Sequence, residues 1–184
     1  MVEETTLVET ESGLEPEGAG WFVVNARDAA WWRHRGIFGF GCRFERLDSD
    51  AEFPQLGINL RVLQPSEPNC RYHAESDQED FLVLQGECLL LVEEEERRLK
   101  AWDFVHCPPG ARHVFVATGE EPCVILMVGA RLPEGDIVYP VSELALSHGA
   151  GVQEETHDPM EAYADLPPRQ RERLPDLGLP WQQR

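Results

Sequence analysis

Four residues of this 184-residue chain have side chains and spacing suited to holding an ion: His73, Glu75, Glu79 and His113. His73 and Glu75 are two apart, so on an extended strand both point to one face. Glu79 follows after a short connection and leads directly into the apolar run Phe81–Leu84, where an unpaired carboxylate would be costly. His113 comes after Pro108-Pro109-Gly110, which breaks a strand ladder. Neutral imidazole and carboxylate together suit a divalent metal ion: Fe, Mn, Zn or Ni. Three such ligands on one side of the ion leave positions for water or substrate. Taken singly, each histidine has a plainer use as a hydrogen-bonded structural residue; the spacing of the four favours ligation. Glu75 divides between ligand and solvated acid. When not ligating, it could serve as a catalytic general base.

The elements that must position these groups read as β-strands. From Trp21 to about Ala130, short runs rich in Val, Leu, Phe and Ile alternate with Gly, Pro, Asp and Glu. That spacing predicts an all-β sandwich or barrel. Strands are predicted at 21–25, 37–45, 57–64, 80–85, 88–93, 97–100, 104–107, 113–117 and 123–128. Gln85-Gly86-Glu87 reads as a turn in which Gly86 supplies a positive φ. Glu93–Glu96 reads as a solvated hairpin tip, and residues 27–35 as one or two helical turns. Three segments follow: a mobile acidic tail at 1–20, the β-domain at 21–130, and a proline-rich extension at 131–184 without a core of its own. The extension has one predicted helix near 160–165 and is expected to drape over the barrel or a partner subunit, or to stay partly mobile.

Composition narrows the function. Lys plus Arg number 16 and Asp plus Glu 34, a formal net charge of −18. Such a surface repels phosphate backbones and anionic lipid, which excludes nucleic-acid and peripheral membrane partners. No apolar run is long enough to cross a bilayer. The first 17 residues carry six acids and no Lys or Arg, unlike a secretory signal. The five cysteines include no CxxC pair and read as free thiols in a reducing cytoplasm. Arg43 and Arg61 could reach a cavity and hold an anionic substrate. Strand arginines more often face solvent, however, and no basic cluster for a phosphate is apparent near the ligands. His106 reads as structural, Tyr72 as packing on the face opposite His73, and Trp102 as a core or rim aromatic.

These motifs resemble the cupin superfamily. Its first motif, G-x5-H-x-H-x3-4-E-x6-G, is matched in spacing by His73, Glu75, Glu79 and Gly86. Its second, G-x5-P-x-G-x2-H-x3-N, is matched at its centre by Pro108, Gly110 and His113. Four positions depart: Glu67 and Trp102 stand where the motifs open on Gly, Glu75 replaces the second His, and Ala117 replaces the Asn. The resemblance implies a double-stranded β-helix (jelly-roll) barrel with extended N- and C-terminal segments. It implies one divalent metal ion held by His73, Glu79, His113 and, in one alternative, Glu75. It also implies a small-molecule ligand and a homodimer, with residues 21–25 and 37–45 as the segments that cross to the partner. If Glu75 swings out, the remaining three resemble the two-His-one-carboxylate triad of non-haem iron oxygenases. Oxygenase-type or isomerase chemistry would follow; the alternative is a metal- or metabolite-binding module without turnover.

Overall fold

The computed structural model describes residues 1–183. The strands are β1 (Leu7–Thr10), β2 (Gly13–Pro16), β3 (Trp31–Arg33), β4 (Phe40–Arg43), β5 (Leu56–Leu63), β6 (Ala74–Glu75), β7 (Glu79–Gln85), β8 (Glu87–Val92), β9 (Glu95–Lys100), β10 (Phe104–Cys107), β11 (His113–Ala117), β12 (Cys123–Ala130), β13 (Ile137–Val138) and β14 (Gln170–Arg171). Two short helices, α1 (Glu143–Ser147) and α2 (Pro159–Ala162), lie between β13 and β14. One sheet runs β10-β7-β12-β5-β4-β3-β14. The facing sheet is β11-β8-β9, and the β13-β6 pair joins its β11 edge through a bridge between His73 and His113. All named strand pairs are antiparallel. The result is a jelly-roll barrel.

Alternation along the strands sorts side chains into an inside and two outsides. Leu63, Phe81, Val83, Cys88, Leu90, Phe115, Ile125 and Met127 meet between the sheets. Val114, Val116, Leu89 and Leu91 point the other way and pack under Tyr72 and Ala145 of α1. Trp31, Phe40, Leu60, Val62 and Val124 form the outer face of the larger sheet, covered by Leu179 and its neighbours. The C-terminal stretch therefore lies on the barrel of its own chain.

Turns follow backbone chemistry. Gly86 has φ 74°, and a Cβ there would lie 2.6 Å from the Pro122 carbonyl oxygen, so the β7–β8 turn requires glycine. Trp102, standing where the motif has glycine, also has positive φ (76°). That conformation is unusual for a bulky side chain and explains the motif's preference. The ring projects into solvent, 74 % exposed, rather than packing in the core or rim.

Three expectations are corrected. Residues 27–35 are not helical: Trp31–Arg33 is β3, paired with β4, and the Trp31 Nε1–H donates to the Ala26 carbonyl. Residues 21–25 form no strand beyond a single bridge from Trp21 to Glu4. The acidic N-terminal segment includes the β1–β2 hairpin, with Ser12 and Glu15 buried. Its acids find cations from the far end of the chain: Glu15 pairs with Arg171 at 2.6 Å, and Glu9 with Arg173. Charge pairing between the two ends of the chain leaves no local pattern in the sequence. Within the 37–45 segment, β4 lies between β3 and β5 and so presents no free edge.

Phe115 is fully buried between the sheets and packs against Phe81, with ring centroids 4.7 Å apart and the planes tilted by 53°. Phe115→Ala is expected to lower unfolding free energy by about 3–5 kcal/mol in a urea titration, the range for emptying a large aromatic site. A loss under about 1 kcal/mol would contradict this description of the core.

Candidate metal centre

The two histidines are placed by backbone pairing. The His113 N–H donates to the His73 carbonyl at 2.8 Å, and the His73 N–H donates back to the His113 carbonyl at 3.2 Å. Residues paired in this way in an antiparallel ladder project to the same face. Glu75 shares the parity of His73, and Glu79 that of Phe81 and Val83, so all four face inward.

Both imidazoles are oriented by the same device. His73 Nδ1 lies 2.8 Å from the Arg71 carbonyl oxygen, and His113 Nδ1 lies 3.0 Å from that of Ala111. With Nδ1–H donating in each case, both Nε2 atoms turn to the barrel interior. There they meet Glu79 Oε2, at 3.9 Å from His73 and 3.3 Å from His113. One donor atom from each of His73, Glu79 and His113 lies within 4.8 Å of the others. Gly129 leaves room beside this carboxylate, since a Cβ there would already contact the Glu79 side chain at 3.6 Å. The donor set fits a divalent ion on one open-faced side. Glu75 stands next to it, with Oε1 3.6 Å from His73 Nε2 and its side chain one-third exposed. It lies outside the tight group of three.

Ionisation follows from burial and neighbours. Burial raises the Glu79 carboxyl to about 7. Burial and the adjacent His73 push the His113 imidazole down to about 3. For His73, burial acts downward, but the Cys70 thiol and the Glu75 and Glu79 carboxylates outweigh it and hold it well above its ordinary value. The neighbouring His73 in turn holds Glu75 below the usual carboxylate range.

The three donors open on a cavity of about 350 Å³. Phe81, Met127, Tyr139 and Tyr163 supply its apolar and aromatic walls. Arg35, Arg43, Arg61 and Arg169 also line it, which corrects the expectation that no basic cluster lies near the ligands. The basic residues are scattered over β4, β5 and the loops before β4 and β14, so no local run announces them. Alternation offered the one available signal: Arg61 shares the parity of Leu63, and Arg43 that of Gly41. His106 faces outward from β10 and contacts Asp80 at 2.7 Å, away from the cavity. Tyr72 packs on the opposite face from His73, and its hydroxyl accepts the Glu94 N–H.

Comparison with known proteins agrees with this architecture. The family described as the cupin domain matches residues 59–129 of the chain. A candidate sugar phosphate isomerase from Acidithiobacillus ferrooxidans is 27 % identical with a TM-score of 0.49, over 55 % of this chain and 66 % of that one. This chain thus spans just under two thirds of that relative. A sugar phosphate isomerase of the cupin superfamily from Silicibacter pomeroyi is 26 % identical with a TM-score of 0.48, over 57 % of this chain and 69 % of its own. The polyketide cyclase RemF from Streptomyces resistomycificus shares the fold, with a TM-score of 0.51 and 16 % identity over 62 % of this chain and 84 % of that one. No curated protein matches the chain significantly. Among the described residues, no helix is long and apolar enough to cross a membrane.

Ligation requires Glu79 and His73 to shed their protons, whereas His113 is already neutral near pH 7. Affinity for a divalent ion should therefore fall as pH drops through about 7. Competition against a chelator is expected to show a loss of at least ~10-fold between pH 8 and pH 6, about one decade per unit for each proton displaced. A flat profile would remove both Glu79 and His73 from the ligand set.

Proposed function

We propose that the chain is a metal-dependent enzyme of small-molecule metabolism, with His73, Glu79 and His113 holding one divalent ion at the inner end of the cavity. The supporting observation is the convergence of two Nε2 atoms and one carboxylate oxygen within 4.8 Å, on buried strands, beside open space. Held there, a divalent ion supplies Lewis acidity to an oxygen of the bound molecule.

The remaining roles belong to the chain's own residues. Arg71 and Ala111 fix the two imidazole tautomers through their carbonyls. Phe81 and Met127 line the cavity beside the donors and exclude water. Glu75 Oε1 stands at the side of the centre, its side chain one-third exposed, and accepts a proton from the bound molecule. An ionised carboxylate not needed for ligation favours isomerase-type proton transfer. The two-His-one-carboxylate donor set favours a second reading, an oxygenase-type reaction with iron. A site with open positions and a free base fits turnover better than storage of an ion.

Elemental analysis of purified variants tests the centre. His73→Ala and His113→Ala should each lose stoichiometric metal, while His157→Ala, exposed beside Asp136, should retain it. Unchanged metal in the first two overturns the proposal. Glu75→Gln is expected to keep wild-type metal affinity within about threefold if Glu75 is a base; a fall like that of His113→Ala would make it a fourth ligand.

A further inference from the structure

The cavity that holds Glu75 and Glu79 also carries concentrated positive charge. Arg35, Arg43, Arg61 and Arg169 line it, and among the described residues none of the four has a carboxylate within ion-pair distance. This is unexpected in a chain with 34 acids and 16 bases. Elsewhere Arg33, Arg71, Arg131, Arg171 and Arg173 each find an acid, and Glu45, two residues along the chain from Arg43, is engaged bidentately by Arg131.

Arg61 is the centre of the group. It stands on β5 with its side chain turned inward, and its Nε and Nη1 are buried with no hydrogen-bond partner. Unpaired buried guanidinium nitrogens are costly unless something accepts their protons. The same space holds His34, only 6 % exposed, whose ring has no hydrogen-bond partner among the described residues. Gly41 of β4 makes room for both: a Cβ there would lie 2.6 Å from Arg61 Nη1 and 2.9 Å from His34 Nε2. Burial and mutual repulsion among these arginines lower Arg43 and Arg61 to about 10, which leaves both charged at neutral pH. Arg35 is backed by the Tyr163 ring, 4.7 Å from its centroid, which holds it at the cavity wall.

We infer that this cluster, centred on Arg61 and His34, binds an oxyanion group of the substrate, a phosphate or a carboxylate. Guanidinium forks match both groups in shape and charge. The anion neutralises the crowded charges and accepts the orphaned Arg61 donors. The neutral His34 ring completes the pocket, held well below its ordinary pKa by burial and by Arg61, Arg169, Arg43 and Arg35. The substrate is then a small bifunctional anion: one end is held by arginine, and the other presents an oxygen to His73, Glu79 and His113. That second half rests on the proposed metal centre; the oxyanion pocket does not.

Calorimetric titration of the full chain with inorganic phosphate and, separately, succinate tests this. At least one anion should bind wild type, and the tighter of the two identifies the group. Arg61→Met should weaken that binding at least tenfold while retaining wild-type metal content. Arg61→Lys, which keeps the charge and loses the fork, should fall in between. Arg169→Gln at the exposed rim should weaken it at least threefold, and it decides the matter if Arg61→Met fails to fold. His113→Ala should lose metal yet bind the anion within threefold of wild type. No anion binding by wild type, wild-type binding by the arginine variants, or loss of the anion along with the metal in His113→Ala would each overturn the inference. Anion binding by a wild type that takes up no metal would overturn the metal centre alone.

Discussion

Two backbone hydrogen bonds, exchanged between His73 and His113, govern the geometry at the open end of the barrel. They join the β6 segment to the edge of β11 and so extend the smaller sheet. They also force two imidazoles 40 positions apart in sequence onto one face, with ring centroids 4.9 Å apart. The carbonyls two residues upstream of each histidine then choose the tautomer. Orientation of the donors is thus a main-chain property. Side-chain packing against Phe81 and Tyr139 only reinforces it.

Arg71 ties this arrangement to the rest of the chain. Its carbonyl receives the His73 ring, and its guanidinium makes two 2.8 Å contacts with Asp165 and one of 2.7 Å with the Gly151 carbonyl. Its backbone N–H donates to the Tyr163 hydroxyl. One residue therefore couples the position of a donor histidine to the stretch that follows the barrel. A charge buried this far, with every contact directed, acts as a fixed anchor; removing its acid would leave it stranded.

Much of the barrel was legible because alternation and turn residues are local signals. The run from Ile58 to Leu63 read as β5, the Phe81–Leu84 run as the inner part of β7, and Gly86 and Gly110 mark turns with positive φ. His73, Glu79 and His113 were legible through spacing, since strand parity and motif separation together fix which face they share. The β3 strand was hidden because Trp31 and Trp32 carry no alternation of their own, and its pairing with β4 is what sets it. The hairpin at 7–16 was hidden because its partners, Arg171 and Arg173, lie at the other end of the chain. The arginine cluster was hidden for the same reason: β4, β5 and two loops each contribute one member, and only the closed barrel brings them together.

The exterior and the cavity differ in sign. The chain carries 34 acids against 16 bases, yet two carboxylates and four arginines line the cavity. The division extends to the chain itself. His73, Glu79 and His113 all lie within the stretch that matches the cupin family, whereas Tyr139, Pro159, Tyr163 and Arg169 enter the same cavity from beyond Ala130. Part of the cavity wall is thereby written on a different length of polypeptide from the three donors. A descendant that kept the Arg71 anchor could exchange the wall residues past the last barrel strand and reshape the cavity around the same three donors.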